Sequence, residues 1–198
     1  MKAIRTHEVG GPETLTLDEI DVPTPGKGEV LVAVKACAIN YPDTLMIRDL
    51  YQFKPERPYS PGGELAGIVE AVGEGVDNYK VGDRVMAGMG NGGLREKAIV
   101  PANRMFPVPD GVPFEKAASL LMTYGTTIHG LKDRGHIKEG DVVLILGAAG
   151  GVGLSAIELA KAYGARVVAA VSSEAKGEVA TKAGADEVVI YPRDEMDK

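Results

Sequence analysis

The sequence predicts an α/β plus β protein, in which an irregular β-barrel precedes a parallel sheet with crossover helices. Three observations support this division. Short apolar runs separated by glycine and proline fill the chain as far as Pro109, and strand-like and helix-like segments alternate after Pro113. A glycine-rich loop, GAAGGVG at residues 147–153, joins one of those strands to the next helix. We therefore predict two domains, residues 1–112 and residues 113–198.

The first domain contains one strand that is apolar on both faces. Val30, Val32 and Val34 alternate with Leu31 and Ala33, which predicts a strand inside a closed or sandwiched sheet. Pairs of turn-forming residues separate the other short runs and indicate an irregular β-barrel; they are Gly10-Gly11, Pro25-Gly26, Gly62-Gly63, Gly92-Gly93 and Asp110-Gly111.

The second domain has the pattern of a βαβαβ unit. We predict strands at residues 142–146, 166–171 and 187–191, separated by segments long enough for parallel crossovers. Gly164 and Gly184 follow the two predicted helices, where a helix C-terminus favours a left-handed residue. The first helix is expected to bury one face, formed by Val152, Ala156, Leu159, Ala160 and Tyr163.

The GAAGGVG loop predicts a dinucleotide site. A glycine-rich turn between a strand and an amphipathic helix lets backbone N–H groups and the helix N-terminus approach a pyrophosphate. Gly150 and Gly153 hold two positions of the G-x-G-x-x-G pattern, whereas Ala148 replaces its first glycine. The strand–loop–helix–strand context makes this assignment stronger than the motif alone.

The end of the second predicted strand favours NADPH over NADH. NADH-binding folds place Asp or Glu there to accept the ribose hydroxyls, but this chain has Val171 followed by Ser172 and Ser173, with Lys176 one turn later. Hydroxyls and a cation suit a 2′-phosphate. The two serines are also ordinary helix N-caps, and both interpretations stay open.

These motifs together resemble the medium-chain dehydrogenase/reductase superfamily, within its zinc-free quinone oxidoreductase (zeta-crystallin-like) branch. The resemblance rests on GGExxGxxxxxGxxV, which starts at Gly62, on VGDRV at residues 81–85 and on LGAAGGVGLSAIELAKAYGA, which starts at Leu146, and it extends along the whole chain. It implies a GroES-like N-terminal domain followed by a Rossmann domain that binds NADPH.

The resemblance also implies roles for single residues. Asn40, in AINYPDTLMIR, matches an asparagine that faces cofactor and substrate, with Tyr41 and Asp43 beside it. Asn40 and Tyr41 are the implied catalytic residues. The implied cofactor contacts are Asn40 and Thr127 at the nicotinamide, Gly150, Gly151, Val152 and Gly153 at the diphosphate, and Ser172, Ser173, Lys176 and Tyr191 at the 2′-phosphate.

The sequence predicts no metal site. Catalytic zinc needs three protein ligands, and relatives that bind zinc place cysteine and histidine where this chain has Asn40 and Gly63. Glu64 alone remains at those positions. The single cysteine, Cys37, lies in an apolar run and is expected to be a small buried residue rather than a reactive thiol.

The composition argues against two classes of binding partner. A net charge of −6 and no basic run argue against nucleic acid and anionic membranes, and no apolar run approaches membrane-spanning length. We therefore expect a cytoplasmic protein with a small-molecule substrate. The resemblance implies a homodimer for a full-length relative.

The expected reaction is NADPH-dependent hydride transfer to a quinone or a conjugated enone, which are electron-poor and need no Lewis acid. Two alternatives stay open: an enoyl thioester reductase with the same chemistry, and a non-catalytic NADPH-binding protein or incomplete fragment. The chain stops after the third predicted strand, which leaves the strand at residues 142–146 at a sheet edge. We therefore expect the Rossmann domain to be truncated.

Overall fold

The computed structural model describes residues 1–191. The chain divides into two compact units between Met122 and Thr123. The first unit contains strands β1 (Lys2–Thr6), β2 (Leu15–Glu19), β3 (Glu29–Ala38), β4 (Glu64–Val72), β5 (Arg84–Gly88), β6 (Lys97–Pro101) and β7 (Met105–Pro107), helices α1 (Tyr41–Met46) and α2 (Phe114–Ala118), and 3-10 turns at Pro12–Thr14 and Ala102–Arg104.

Antiparallel pairing builds the first unit. Five strands form one sheet in the order β6-β3-β4-β5-β7, and β1 pairs with β2 separately. Val30 and Val32 are fully buried and Leu31 nearly so, which confirms the prediction of an interior strand. The core on which the sheet packs consists of Val30, Val32, Leu65, Val69, Val76, Val85, Ala87, Ala98, Val100 and Met105.

Helix α2 belongs to the first unit, although the expected boundary after residue 112 precedes it. Ala117 and Ala118 are buried and pack with Ala66 of β4 and with Val108. Arg84 of β5 also stacks on the Phe114 ring, with its guanidinium carbon 4.1 Å from the ring centre. These contacts place α2 in the first compact unit, which extends to Met122.

The second unit is a three-stranded parallel sheet with helices. Its elements are α3 (Thr126–Ile128), which is flanked by π-helical turns at Leu121–Gly125 and His129–Arg134, then β8 (Val142–Leu146), α4 (Gly151–Ala162), β9 (Arg166–Val171), α5 (Glu174–Lys182) and β10 (Glu187–Ile190). The strand order is β10-β9-β8, so within the described residues β8 lies at an edge, as predicted. The third strand ends one residue earlier than expected.

The buried face of α4 agrees with the predicted one at Ala156 and Ala160 and differs from it at Val152. Val152 is 48% exposed, whereas Ile157, which the prediction omitted, is fully buried with Ala160. The stripe that meets the sheet is Gly153, Ala156, Ile157 and Ala160, one position later than Val152. The reason is that Gly153 has no side chain and lets the first helical turn lie directly against the loop backbone.

Both predicted helix-ending glycines are left-handed. Gly164 has φ of +78° and Gly184 has φ of +109°. After each glycine the chain closes back on its helix, because Ala165 donates a backbone hydrogen bond to Ala160 and Ala185 donates one to Ala180. In the described part of the chain, no helix has the length and apolar character needed to cross a membrane.

Candidate active site and cofactor-binding loop

Asn40 is held at the start of helix α1 by a reciprocal capping arrangement. The backbone N–H of Asn40 donates to Oδ2 of Asp43 at 2.8 Å, and the backbone N–H of Asp43 donates to the Asn40 carbonyl at 3.0 Å. Pro42 occupies an early helical position, where its missing N–H costs nothing. The backbone of Asn40 is therefore fixed by the sequence of its own turn.

The side chain of Asn40 reaches a second buried carboxylate. Its Nδ2 donates to Oε1 of Glu64 at 2.9 Å, and the backbone N–H of Met122 donates to Oε2 of the same residue at 2.9 Å. Glu64 is only 1% exposed. It begins β4 and pairs with Ala38 at the end of β3, which brings it beside Asn40 two residues later.

The residues around this pair differ in exposure. Tyr41 is 74% exposed and Asp43 is 3% exposed, so the two expected neighbours of Asn40 face opposite environments. Cys37 is partly buried. Burial, together with the charges of Asp43 and Glu64, raises the pKa of the Cys37 thiol to about 12. The expectation that Cys37 is not a reactive thiol agrees with this direction.

The glycine-rich loop has the geometry of a phosphate-binding turn. Gly147 has φ of +62°, and the backbone N–H of Gly150 donates to its carbonyl at 3.0 Å, which closes a tight turn. Gly150 is the N-cap of α4. A Cβ on Gly153 would lie 2.6 Å from the Gly147 oxygen, so this position admits only glycine without rearrangement. Ala148 is fully buried and fits where the common motif has glycine.

The three parallel strands end on the same edge of the sheet, and the loop follows the first of them. Ser172 follows β9, and the Nζ of Lys176 donates to its Oγ at 2.9 Å. Tyr191 follows β10; its backbone N–H donates to Val171, and its hydroxyl accepts from the backbone N–H of Gly147 at 3.3 Å. The structure therefore brings Tyr191 to the loop and Lys176 to Ser172.

Ser173 and Thr127 are placed differently from these residues. Ser173 is the N-cap residue of α5 and is exposed, which fits its interpretation as a helix start. Thr127 is 5% exposed, and its hydroxyl lies 2.7 Å from the Ser155 hydroxyl and 3.3 Å from the Val152 carbonyl. The side chain expected at the nicotinamide is thus hydrogen-bonded to α4, and it anchors the first turns of that helix.

The positions of the missing zinc ligands are occupied by groups with other contacts. A Cβ on Gly63 would meet the Gly90 oxygen at 3.4 Å and Met122 Cε at 3.6 Å, which is ordinary packing distance. Both oxygens of Glu64 already accept hydrogen bonds. In residues 1–191, no group of three or more His, Cys, Asp or Glu side chains is arranged to hold a metal ion.

Two contributors were not apparent from the sequence. The link between Glu64 and Asn40 spans 24 residues and depends on strand pairing, which no local pattern reveals. Ser155 is 1% exposed and supports Thr127 from within α4, but a serine in a helix carries no such signal. The capping role of Asp43 does have a signal, because an N-cap residue followed three positions later by an acid is a known helix start.

Two family models match the chain. Residues 26–110 match the alcohol dehydrogenase GroES-like domain, and residues 151–198 match the zinc-binding dehydrogenase domain. Among curated proteins, quinone oxidoreductases of Rattus norvegicus and Homo sapiens are 39% and 37% identical over 190 residues, which is 95% of this chain. The chain spans 58% of the length of each of these relatives.

Solved structures show the same similarity. An Escherichia coli quinone oxidoreductase complexed with NADPH superimposes with a TM-score of 0.93 and 36% identity, over 99% of this chain and 60% of the other. A mycobacterial protein complexed with NADPH gives a TM-score of 0.91 and 39% identity, over 100% of this chain and 61% of the other. The predicted fold class, GroES-like followed by Rossmann, is confirmed.

Proposed function

Because this chain belongs to the medium-chain dehydrogenase/reductase superfamily, among its quinone oxidoreductase-like members, we propose that it binds NADPH and reduces a quinone or conjugated enone without zinc. The observation that carries the proposal is the glycine-rich loop at the common end of the parallel strands. The NADPH named for two similar structures supports the choice of cofactor.

The residues of the second unit fit a dinucleotide phosphate. The first N–H groups of a helix have no hydrogen-bond partner within the helix, so those at the start of α4 are free to bind a phosphate. The glycine at position 153 keeps the preceding loop close to this helix start, because a Cβ there would clash with the loop backbone. Gly150, Gly151, Val152 and Gly153 would hold the diphosphate. The Lys176 ammonium donates a hydrogen bond to the Ser172 hydroxyl, and the pair would bind the 2′-phosphate with Ser173 and Tyr191.

Bound NADPH would supply the hydride. Asn40 would provide an amide group to hydrogen-bond the nicotinamide end of the cofactor and the oxygen of the acceptor, with the exposed Tyr41 side chain beside it. Thr127, which lies in α3, would act at the nicotinamide end, where its hydroxyl donates to the Val152 carbonyl in the first turn of α4. Electron-poor acceptors need positioning and hydrogen bonding more than Lewis-acid activation, which fits this set of residues.

The residues at the positions of the zinc ligands support a mechanism without metal. Asn40 and Gly63 stand at two positions that are ligands in zinc-dependent relatives, and Glu64 uses both oxygens for hydrogen bonds within its own unit. One carboxylate does not make a tight zinc site. A preparation treated with a chelator should therefore keep its activity.

The test follows oxidation of NADPH by its absorbance while the purified chain is mixed with a panel of quinones and enones. We expect acceptor-dependent oxidation in the wild type, a loss of about tenfold or more in kcat for Asn40→Ala, and little change for Asn78→Ala, which alters an amide far along the chain from Asn40. NADPH that binds but is never oxidised would overturn the hydride transfer. Failure to bind NADPH would overturn the cofactor assignment as well.

A further inference from the structure

Glu64 is a buried carboxylate that has no cationic partner in the part of the chain that the structure describes. Its side chain is 1% exposed, and within the described residues it forms no salt bridge with Lys, Arg or His. Its oxygens accept hydrogen bonds from two groups in residues 1–191, the Asn40 side chain and the Met122 backbone. Burying a carboxylate without a cation costs free energy, which its hydrogen bonds offset only in part.

A carboxylate differs from a neutral amide in one respect that matters for Asn40. The two ends of an asparagine amide are similar in size and opposite in hydrogen-bonding character. An ionised carboxylate only accepts, so it holds the Nδ2 end of Asn40 toward itself and leaves Oδ1 directed away. The Asn40 backbone is already fixed by Asp43. The orientation of the amide is therefore set by Glu64.

A glutamine at position 64 would reverse this orientation. The Met122 N–H lies 2.9 Å from one Glu64 oxygen and still requires an acceptor. If the glutamine carbonyl accepts the hydrogen bond from the Met122 N–H, its NH2 group faces Asn40. The Asn40 amide must then turn its Oδ1 toward that NH2 group. Size and shape stay nearly the same, so the substitution isolates the direction of one hydrogen bond.

We propose that Glu64 is a positioning residue that fixes which end of the Asn40 amide is presented to cofactor and substrate. The proposal rests on the function proposed above for Asn40. It assigns Glu64 a role through Asn40 and no direct contact with the reacting atoms. A purely structural Glu64, tying β4 to Met122, is the competing interpretation.

The kinetic test is a double-mutant cycle with Glu64→Gln and Asn40→Ala. We expect Glu64→Gln to lower kcat about tenfold while the Kd for NADPH and the unfolding midpoint stay near the wild-type values. In the Asn40→Ala background the same change should alter kcat by less than about twofold. Equal losses in both backgrounds would overturn the proposal, and so would loss of stability without loss of kcat.

A second measurement does not depend on activity. The side-chain amide NMR signals of Asn40 should move in Glu64→Gln, while those of Asn78, Asn91 and Asn103 stay in place. Unchanged Asn40 signals would overturn the proposal. A wild-type chain that never oxidises NADPH would overturn the proposed function, whereas these signals would still decide whether Glu64 orients Asn40.

A third variant covers the case in which Glu64→Gln fails to fold. Asn40→Asp has nearly the same shape as asparagine but replaces the donor with an acceptor that faces Glu64. We expect its urea midpoint to be lower than that of Asn40→Ala, because two acceptors would then oppose each other in a buried place. A midpoint equal to or above that of Asn40→Ala would overturn the proposed orientation.

Discussion

The carboxylate of Asp43 accepts a hydrogen bond from the backbone N–H of Gly62 at 2.9 Å. Its other oxygen accepts from the backbone N–H of Asn40, so one side chain joins the start of α1 to the segment before β4. Asp43 is 3% exposed, and its two bonds provide an acceptor for the buried N–H of Gly62 and for the partly buried N–H of Asn40. Asp43 therefore links the backbone at Asn40 to the backbone at Gly62, two residues before Glu64.

The paired glycines before Glu64 should lose different amounts of stability when each is replaced by alanine. Gly62 has φ of +97°, and a Cβ there would lie 2.5 Å from Cys37 Sγ and 2.9 Å from the Leu94 nitrogen. We expect Gly62→Ala to lower the free energy of unfolding by about 2–4 kcal/mol. Gly63→Ala, whose Cβ has ordinary contacts, should cost less than about 1 kcal/mol. Urea denaturation of both variants checks this; equal costs would contradict it.

The last glycine of the phosphate loop should be essential. A Cβ on Gly153 would lie 2.6 Å from the Gly147 oxygen and 2.7 Å from the Ala148 backbone, so the loop must move to accept it. We expect Gly153→Ala to weaken NADPH binding at least tenfold, about 1.4 kcal/mol. Gly130→Ala is the matched control, since its Cβ would meet nothing within 4 Å. Titration followed by nicotinamide fluorescence measures the NADPH affinity of both variants. Similar affinities for the two would contradict the assignment of this loop to NADPH binding.

Lys176 should select the phosphorylated cofactor. Its ammonium lies 2.9 Å from the Ser172 hydroxyl at the end of β9, where it can pair with a 2′-phosphate. We expect Lys176→Ala to lower the affinity for NADPH about tenfold and to leave the affinity for NADH nearly unchanged.

Lys182→Ala removes an exposed cation from the other end of the same helix and serves as the control. Calorimetric titration with both cofactors gives the ratio of affinities for each variant. An equal loss of affinity for NADPH and for NADH would show that Lys176 does not bind the 2′-phosphate.

Asp186 should make the second unit less stable in acid. Hydrogen bonds from Lys161 and from the backbone N–H of Val167 lower the pKa of this carboxyl below its usual value of 3.8. A lowered pKa in the folded state stabilises the protein above pH 3.8, and that contribution disappears as the pH falls through the folded-state value. Asp186→Asn should therefore be less stable than wild type near neutral pH and should match it in acid.

Urea midpoints over a series of pH values measure this difference. Glu178→Gln, which changes an exposed carboxylate on α5, should show no comparable dependence on pH. A gap between wild type and Asp186→Asn that stays constant as the pH falls would contradict the assignment.

Local sequence patterns determined the elements of this protein. The strands β8 and β9 follow from apolar runs, and the left-handed Gly164 and Gly184 follow from helix endings, because each depends on a few neighbouring residues. The glycine-rich loop was recognisable for the same reason. The buried face of α4 was predicted correctly at Ala156 and Ala160 but not at Val152, since the first helical turn depends on how closely Gly153 lets the helix approach the loop.

Only the tertiary structure decided how distant residues meet. Strand pairing places Glu64 beside Asn40, and the packing of α2 on Ala66 places α2 in the first compact unit. The inward turn of Thr127 toward Ser155 likewise depends on α4. These contacts join residues that are far apart in the chain, and their energies depend on burial and on partners that no local pattern specifies. The sequence by itself determined which chemical groups are present, and the fold determined which of them are in contact.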